Sequence, residues 1–173
     1  MTEEEENKAR EEETREARRQ LAREMAIGFQ SIGHFIFEFS QLEFTIRVVV
    51  ARCFGIDDSL FNIVTGPDDF ATLCTVAREA LYLKLPEKKE EIDEVLKDCR
   101  KLNDERVRVA HGLWTFGAEG IVLQNVSRGS LQARYYFEKR GELDQLADEA
   151  QRLMQAVLTI GKRRPVDHSR AAS

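Results

Sequence analysis

The sequence predicts a mainly α-helical fold, a bundle of about four core helices with a β-hairpin inserted before the last helix. Apolar residues recur at helical spacing, i, i+3, i+4 and i+7, over four long segments. These segments are Met25–Phe54, Phe70–Leu85, Glu87–Leu113 and Gly141–Ile160. Before the last of them, apolar and polar residues alternate with a period of two, which is typical of strands. We therefore predict one helical domain over residues 25–161, with the hairpin at about 119–138.

The first core helix, Met25–Phe54, carries the widest apolar stripe. Six of the ten phenylalanines in the chain lie in it, and Phe37 and Phe44 fall outside the main stripe. One bundle does not need to cover these two rings, and an exposed apolar patch of this kind usually marks an interface. The sequence therefore predicts a homodimer. Charged residues within the helix, such as Glu43 and Arg47, argue against a membrane span.

The segments on either side of the core are polar. Residues 1–24 are dominated by Glu and Arg, and we expect either a solvated helical extension, held by i,i+4 pairs such as Glu11–Arg15, or an arm that binds a partner or braces a dimer. Residues 162–173 are expected to be a disordered tail.

Glycine and proline predict the connections. Gly55–Gly66 is a connector with one or two helical turns, and Gly66–Asp69 starts the second core helix with a proline in its first turn. Gly161 is expected to end the last helix. The hairpin is predicted to turn at Arg128–Ser130 and to pack beside Trp114. The aromatic run Tyr135–Phe137 is either the packing face of the hairpin or a base-stacking surface.

Composition limits the function. The chain is 33% charged with a formal net charge of −5, which argues against broad electrostatic binding of nucleic acid but allows a small basic cleft. Three widely separated cysteines on apolar segments predict buried free thiols in a reducing cytosol. The acidic N-terminus does not resemble a signal peptide, so we expect a cytoplasmic protein. His34 and Glu38 share one face without a third ligand, and no metal or other cofactor is expected.

The most informative stretch is Leu102–Trp114, at the end of the third core helix. Arg106 falls near the middle of the apolar arc of this helix. Because a guanidinium cannot lose its charge, an arginine aimed at a core needs carboxylate or carbonyl partners. Glu43 lies within the apolar arc of the first helix and is the predicted partner. The alternative is a local pair of Glu43 with Arg47, four residues further on.

Other polar residues of this stretch have two interpretations each. His111 lies about 140° from Arg106 on the helix, and a cap at Gly112 can bring the two toward one cleft. In the ordinary interpretation His111 only benefits from the helix C-terminus. Arg108 either contacts phosphate or pairs with Asp104, and Asn103 either orients a ligand or faces solvent.

The hexapeptide Arg106–His111, RVRVAH, resembles the R-x4-H motif of the HEPN superfamily, the higher eukaryotes and prokaryotes nucleotide-binding domains. The resemblance implies a small helical bundle in which two motifs, one from each subunit of a dimer, form a metal-independent ribonuclease site. Arg106 and His111 would be the catalytic residues, with Arg108 and Asn103 binding the substrate. The chain departs from the family at Val107, where a polar residue, often Asn, usually follows the arginine.

The resemblance therefore implies a homodimeric endoribonuclease of the toxin or host-defence kind, with RNA as its substrate and a protein such as an antitoxin as a further partner. The rival hypothesis is a non-catalytic helical dimer that binds a protein partner, in which Arg106 only locks the core. Val107 favours the rival, and the combination of Arg106 with His111 favours the enzyme.

Overall fold

The computed structural model describes residues 3–66, 69–117, 120–126, 133–137, 139 and 141–162. Within this described part the protein is mainly helical, as predicted, with three short strands before the last helix. The α-helices are α1 (Glu3–Phe54), α2 (Asp58–Thr65), α3 (Phe70–Lys84), α4 (Lys89–His111) and α5 (Glu142–Lys162). The strands are β1 (Leu113–Gly117), β2 (Gly120–Val126) and β3 (Ala133–Tyr136). A 3-10 turn, Pro86–Lys88, precedes α4.

The chain forms two compact units. The first combines the chain up to His34 with Arg108–Asp144, and the second combines Phe35–Val107 with the chain from Gln145 onward. The predicted tail lies outside the described residues from position 163. None of the helices in the described part combines the length and the apolar composition that a membrane crossing requires.

The core of the second unit is built by the helical stripes that the sequence predicts. Its largest side chains that are almost fully buried come from α1, α3, α4, α5 and the residue before the 3-10 turn. They are Phe35, Leu42, Ile46, Leu73, Leu85, Ile92 and Leu153. Burial of each such side chain contributes roughly 1.5–3 kcal/mol before entropy is counted. This core fixes the helix faces that carry the candidate site.

Helix α1 is one unbroken helix of 52 residues, so the charged extension and the first core helix are continuous. Residues 4–23 are all exposed. The hydrogen bond from Gln20 to Glu24 is one of the i,i+4 contacts that support this part. Whether the extension also binds a partner stays a prediction.

The first unit contains an antiparallel sheet with the order β1-β2-β3. Trp114 lies opposite Leu123 in the first pair, and Gln124 lies opposite Tyr135 in the second. The helix predicted up to Leu113 ends at His111, and β1 was not predicted, because this strand follows α4 after a single residue, Gly112. The predicted turn Arg128–Ser130 lies outside the described residues.

Helix α3 begins at the end of the predicted start region Gly66–Asp69. Its first residue is Phe70, and Asp69 is the N-cap, with Oδ1 accepting from the backbone N–H groups of Ala71 at 2.9 Å and Thr72 at 3.0 Å. The backbone hydrogen bond from Thr72 is the main reason that the pKa of Asp69 is lowered. Pro67, the expected first-turn residue, lies outside the described residues. The carboxylate of Asp69, rather than the ring of a proline, therefore defines the start of this helix.

Helix α5 continues through Gly161 to Lys162, so the prediction that Gly161 ends the helix is wrong. A Cβ atom at Gly161 would lie 2.7 Å from Cγ2 of Val49 on α1. The glycine is required because the backbone of α5 passes this close to α1, rather than because the helix stops.

Candidate functional site

Arg106 is half-buried and lies over an aromatic ring. Its Cζ atom is 5.2 Å from the centre of the Phe39 ring, within the range of a cation–π interaction. Phe39 is itself buried, and its ring centre is 4.8 Å from that of Phe70. The aromatic pair thus supports the guanidinium from the core side.

Glu43 does not pair with Arg106. Its Oε1 accepts a hydrogen bond of 2.6 Å from Nη2 of Arg47, one turn further along α1. The prediction of a Glu43–Arg106 pair is therefore wrong, and the local alternative is what the structure contains. A charge-assisted pair at i,i+4 forms without any help from tertiary packing, which explains why it wins.

Arg106 is also less buried than predicted. Among the described residues it makes no ion pair, and the face of Phe39 takes the place of the expected carboxylate. Stacking occupies the plane of a guanidinium and leaves its N–H groups, which point outward in that plane, able to donate. Arg106 therefore lies over an aromatic ring and has no neutralising partner within the described part of the chain, which suits the binding of an anion.

His111 is exposed and is the last residue of α4. Gly112 donates a further helical hydrogen bond of 2.8 Å to the carbonyl of Arg108, which is half-buried. The imidazole therefore stands at the C-terminal end of α4 and is accessible to solvent. A functional role for His111 stays a prediction.

Trp114 secures the passage from α4 to β1. Its Nε1 donates a hydrogen bond of 3.0 Å to the carbonyl oxygen of Val109. Its ring stacks on Phe137, with 6.0 Å between the ring centres. Phe137 has a φ of 57°, which is rare for an aromatic residue and holds its ring in this place. Of the two interpretations of the aromatic run, the contact of Phe137 with Trp114 fits packing. The side chains of Tyr135 and Tyr136 lie outside the described part of the structure.

Asn103 is half-buried, and its Oδ1 has no hydrogen-bond donor among the described residues. Of its two interpretations, a solvent-facing amide does not fit this oxygen. A buried acceptor of this kind is uncommon in proteins. Asn103 and Arg106 belong to the second unit, whereas Arg108 and His111 belong to the first, and all four are carried by α4.

Arg100 on α4 makes a contact between helices that the sequence did not predict. It is half-buried, and its Nη2 donates to Oγ1 of Thr75 on α3 at 2.9 Å. It also lies close enough to Cys74 to lower the pKa of that thiol, although burial dominates and raises it to about 11. The pattern of α3, with a polar Thr75 beside the buried Cys74, is the signal that pointed to a polar partner here.

The three cysteines are free. Cys74 and Cys99 are buried, as predicted, and burial raises the pKa of each thiol. Cys53 is half-buried, and its pKa is also raised by burial. A protonated thiol is a poor nucleophile, so none of the three is suited to covalent catalysis.

His34 forms a contact that the sequence did not predict. Its Nδ1 lies 3.7 Å from Oδ1 of Asp144 at the start of α5, and Oγ of Ser31 donates to Oδ2 of the same carboxylate at 3.2 Å. In the part of the chain that the structure describes, no three His, Cys, Asp or Glu side chains are grouped so that they could hold a metal ion.

Comparison of the chain with protein-family models, with curated proteins and with solved structures gives no match. The resemblance to the HEPN superfamily therefore rests on the residues of α4 alone.

Proposed function

We propose that this protein is a HEPN-like endoribonuclease that acts on RNA as a homodimer, with Arg106 and His111 as its catalytic residues. The observation that carries the proposal is the position of Arg106, which lies over Phe39 and makes no ion pair among the described residues. An arginine with unneutralised donors is suited to an RNA phosphate.

Each residue of the proposed site has a chemical task. Arg106 stabilises the additional negative charge that develops on the scissile phosphate. His111, exposed at the end of α4, exchanges a proton with the RNA 2′-hydroxyl as the general acid–base group. Arg108 supplies a second phosphate contact, and Asn103 orients the substrate. By resemblance the reaction requires no metal, and its biological setting is that of a toxin or a host-defence protein.

The test compares His111→Ala with the wild type on several RNAs in excess EDTA, with both proteins shown to be folded by circular dichroism. Cleavage should fall by roughly 10²–10⁴-fold, because His111 is the proton-transfer group. The matched control is His34→Ala, which removes another exposed histidine from a described helix and should leave cleavage unchanged. Equal cleavage by wild type and His111→Ala would contradict the proposal.

A second candidate function is a non-catalytic dimer that binds a protein partner. The observation that favours it is Val107, which is 40% exposed and apolar in the position where the family usually has a polar residue. In this candidate Arg106 has only its stacking role on Phe39. Absence of cleavage by the wild type across several RNAs would favour this function over the enzyme.

The substitution Val107→Asn distinguishes two hypotheses, an enzyme that has lost its activity and a protein that only binds a partner. The side chain at this position is already exposed, so the substitution should not disturb the fold. If the wild type does not cleave and Val107→Asn does, the natural protein is an inactive member on an intact scaffold. If neither cleaves, the scaffold serves binding alone.

A further inference from the structure

The solvent face of α1 in the second unit is apolar where a surface helix is normally charged. Phe37 is 59% exposed and Phe44 is 54% exposed. Seven residues apart, they lie within about 20° of each other on the helix, and about 180° from the middle of the buried stripe. A helix covered on one side by its own core places polar residues at this position.

We call this surface the α1 face and define it by Phe37, Ser40, Gln41, Phe44 and Val48. All five residues are exposed or half-buried, and none carries a charge. In a chain that is 33% charged, an outward helix face of about three turns without a charged side chain is unexpected. Because a charge at the centre of an interface must be desolvated, interface centres are depleted of charge in the same way.

Helix α2 extends the α1 face. The ring of Phe61 packs edge-on against Phe44, with 5.8 Å between their centres. Beside it, α2 exposes Leu60, Ile63 and Val64, of which Ile63 is 69% exposed. A large side chain has an accessible area of roughly 150–250 Å². With the exposed fractions of the apolar side chains on both helices, the exposed apolar area is on the order of 500 Å² per copy. Two copies together would bury about 1,000 Å², which reaches the size of the smaller specific interfaces.

The spacing of the α1 face is self-complementary. In an antiparallel pair of α1 helices with the two-fold axis between positions 40 and 41, Phe37 of each copy is opposite Phe44 of the other. Ser40 and Gln41, both exposed and uncharged, then lie at the crossing point. Each aromatic ring meets an aromatic ring, and the small Ser40 side chain permits close approach of the helices.

We infer that the α1 face, with the exposed side of α2, is the surface on which a second copy of this chain docks through antiparallel α1 helices. The inference rests on the homodimer in the proposed function and assigns it a surface and a direction. The absence of charge, the available area and the two-fold spacing all fit this occupant.

The test measures molecular mass by light scattering at tens of micromolar. The wild type should have twice the 19.9 kDa of one chain, and Phe37→Glu and Phe44→Glu should each reduce it to the mass of a monomer. The matched control is Leu83→Glu on α3, which charges a side chain that is 79% exposed outside the α1 face and should remain dimeric. Circular dichroism establishes that each variant is folded.

A paired exchange tests the direction of the helices. The double variant Phe37→Lys/Phe44→Glu should recover the dimer, because only an antiparallel pair places each lysine opposite a glutamate of the other copy. A monomeric wild type, a dimer that survives both single substitutions, or a double variant that stays monomeric would overturn the inference. If Phe37→Glu and Phe44→Glu remain dimeric while His111→Ala loses RNA cleavage, the α1 face is not the dimer interface. The proposed function would then still hold.

Discussion

The guanidinium of Arg106 lies over an aromatic ring, and the residue is partly exposed to solvent. Its Cζ atom lies 5.2 Å from the centre of the Phe39 ring, and the residue as a whole is half-buried. This arrangement avoids the desolvation cost that a buried ion pair would incur. It also means that Arg106 is not essential to the fold in the way that a buried charge pair would be.

The substitution Arg106→Ala should therefore cost only about 0.5–2 kcal/mol in the free energy of unfolding, the range of one cation–π contact. Urea denaturation followed by circular dichroism measures this change in the free energy of unfolding. Arg106→Lys is the control, because a lysine keeps the charge but loses the flat stacking surface. A loss of about 3–5 kcal/mol would instead indicate that a buried carboxylate had been stranded.

Cys74 gives the protein a pH dependence on the alkaline side. Burial raises the pKa of this thiol from its ordinary 9.0 to about 11, so the folded state favours the neutral thiol. The resulting stability is fully present below the pKa of the unfolded chain, near 9, and is lost as the pH rises toward 11.

Between these two pH values, the unfolding free energy of the wild type should fall by up to about 2–3 kcal/mol more than that of Cys74→Ala. Chemical denaturation at several alkaline pH values measures the difference between the two proteins. Groups that titrate in both proteins cancel from this difference. Parallel curves for the two proteins would show that the thiol does not contribute.

Among the elements, the helices are the part of the fold that the sequence predicts best. Their apolar stripes repeat over many turns, so the boundaries of α1, α4 and α5 differ from the prediction by a few residues at most, apart from the extension that α1 gains. Strand β1 is only five residues long, too short for its alternation to stand out beside the end of a 23-residue helix.

The candidate site was harder to predict, because helical periodicity gives the direction of a side chain and not its neighbour. Phe39 and Glu43 lie one turn apart on the same side of α1, and both were compatible with Arg106. Only the three-dimensional structure distinguishes them. Arg100 was missed for the same reason, because a long side chain at the flank of a helix can reach Thr75 on the next one.

Gly161 in α5 is the position where local and tertiary preferences conflict. Alanine would favour the helix by about 1 kcal/mol, but its Cβ would lie 2.7 Å from Val49 and overpack the contact, which typically costs about 1–3 kcal/mol. Gly161→Ala should therefore lower the melting temperature. The same substitution in a Val49→Ala background should be neutral or stabilising, since the contacting methyl groups are gone. A rise in melting temperature with Val49 in place would contradict the close approach.

For the whole molecule, the net charge of −5 limits how RNA can be bound. A negative net charge argues against binding through a broad basic surface, so binding should depend on a few phosphate contacts, principally those of Arg106 and Arg108. Two neutralised phosphates of single-stranded RNA correspond to a slope of about −1.4 in a plot of log affinity against log salt concentration for each protomer.

Binding titrations at several salt concentrations measure this slope, and Arg108→Gln should make it shallower by roughly 0.7. An uncharged surface substitution such as Thr72→Ala serves as the reference. A slope several times steeper than expected would reveal a basic surface that the proposed site does not include.

Trp114 is the sole tryptophan of the chain, and it stands three residues beyond His111, with its indole N–H held by the carbonyl of Val109. The protein therefore carries its single tryptophan fluorophore at the corner where α4 passes into β1. The wavelength of its emission maximum should depend on that hydrogen bond and on its stacking with Phe137. A ligand that changes the conformation between α4 and β1 should therefore shift the emission spectrum without any attached dye. Binding of a ligand at this end of α4 can therefore be followed by tryptophan fluorescence, without an activity assay.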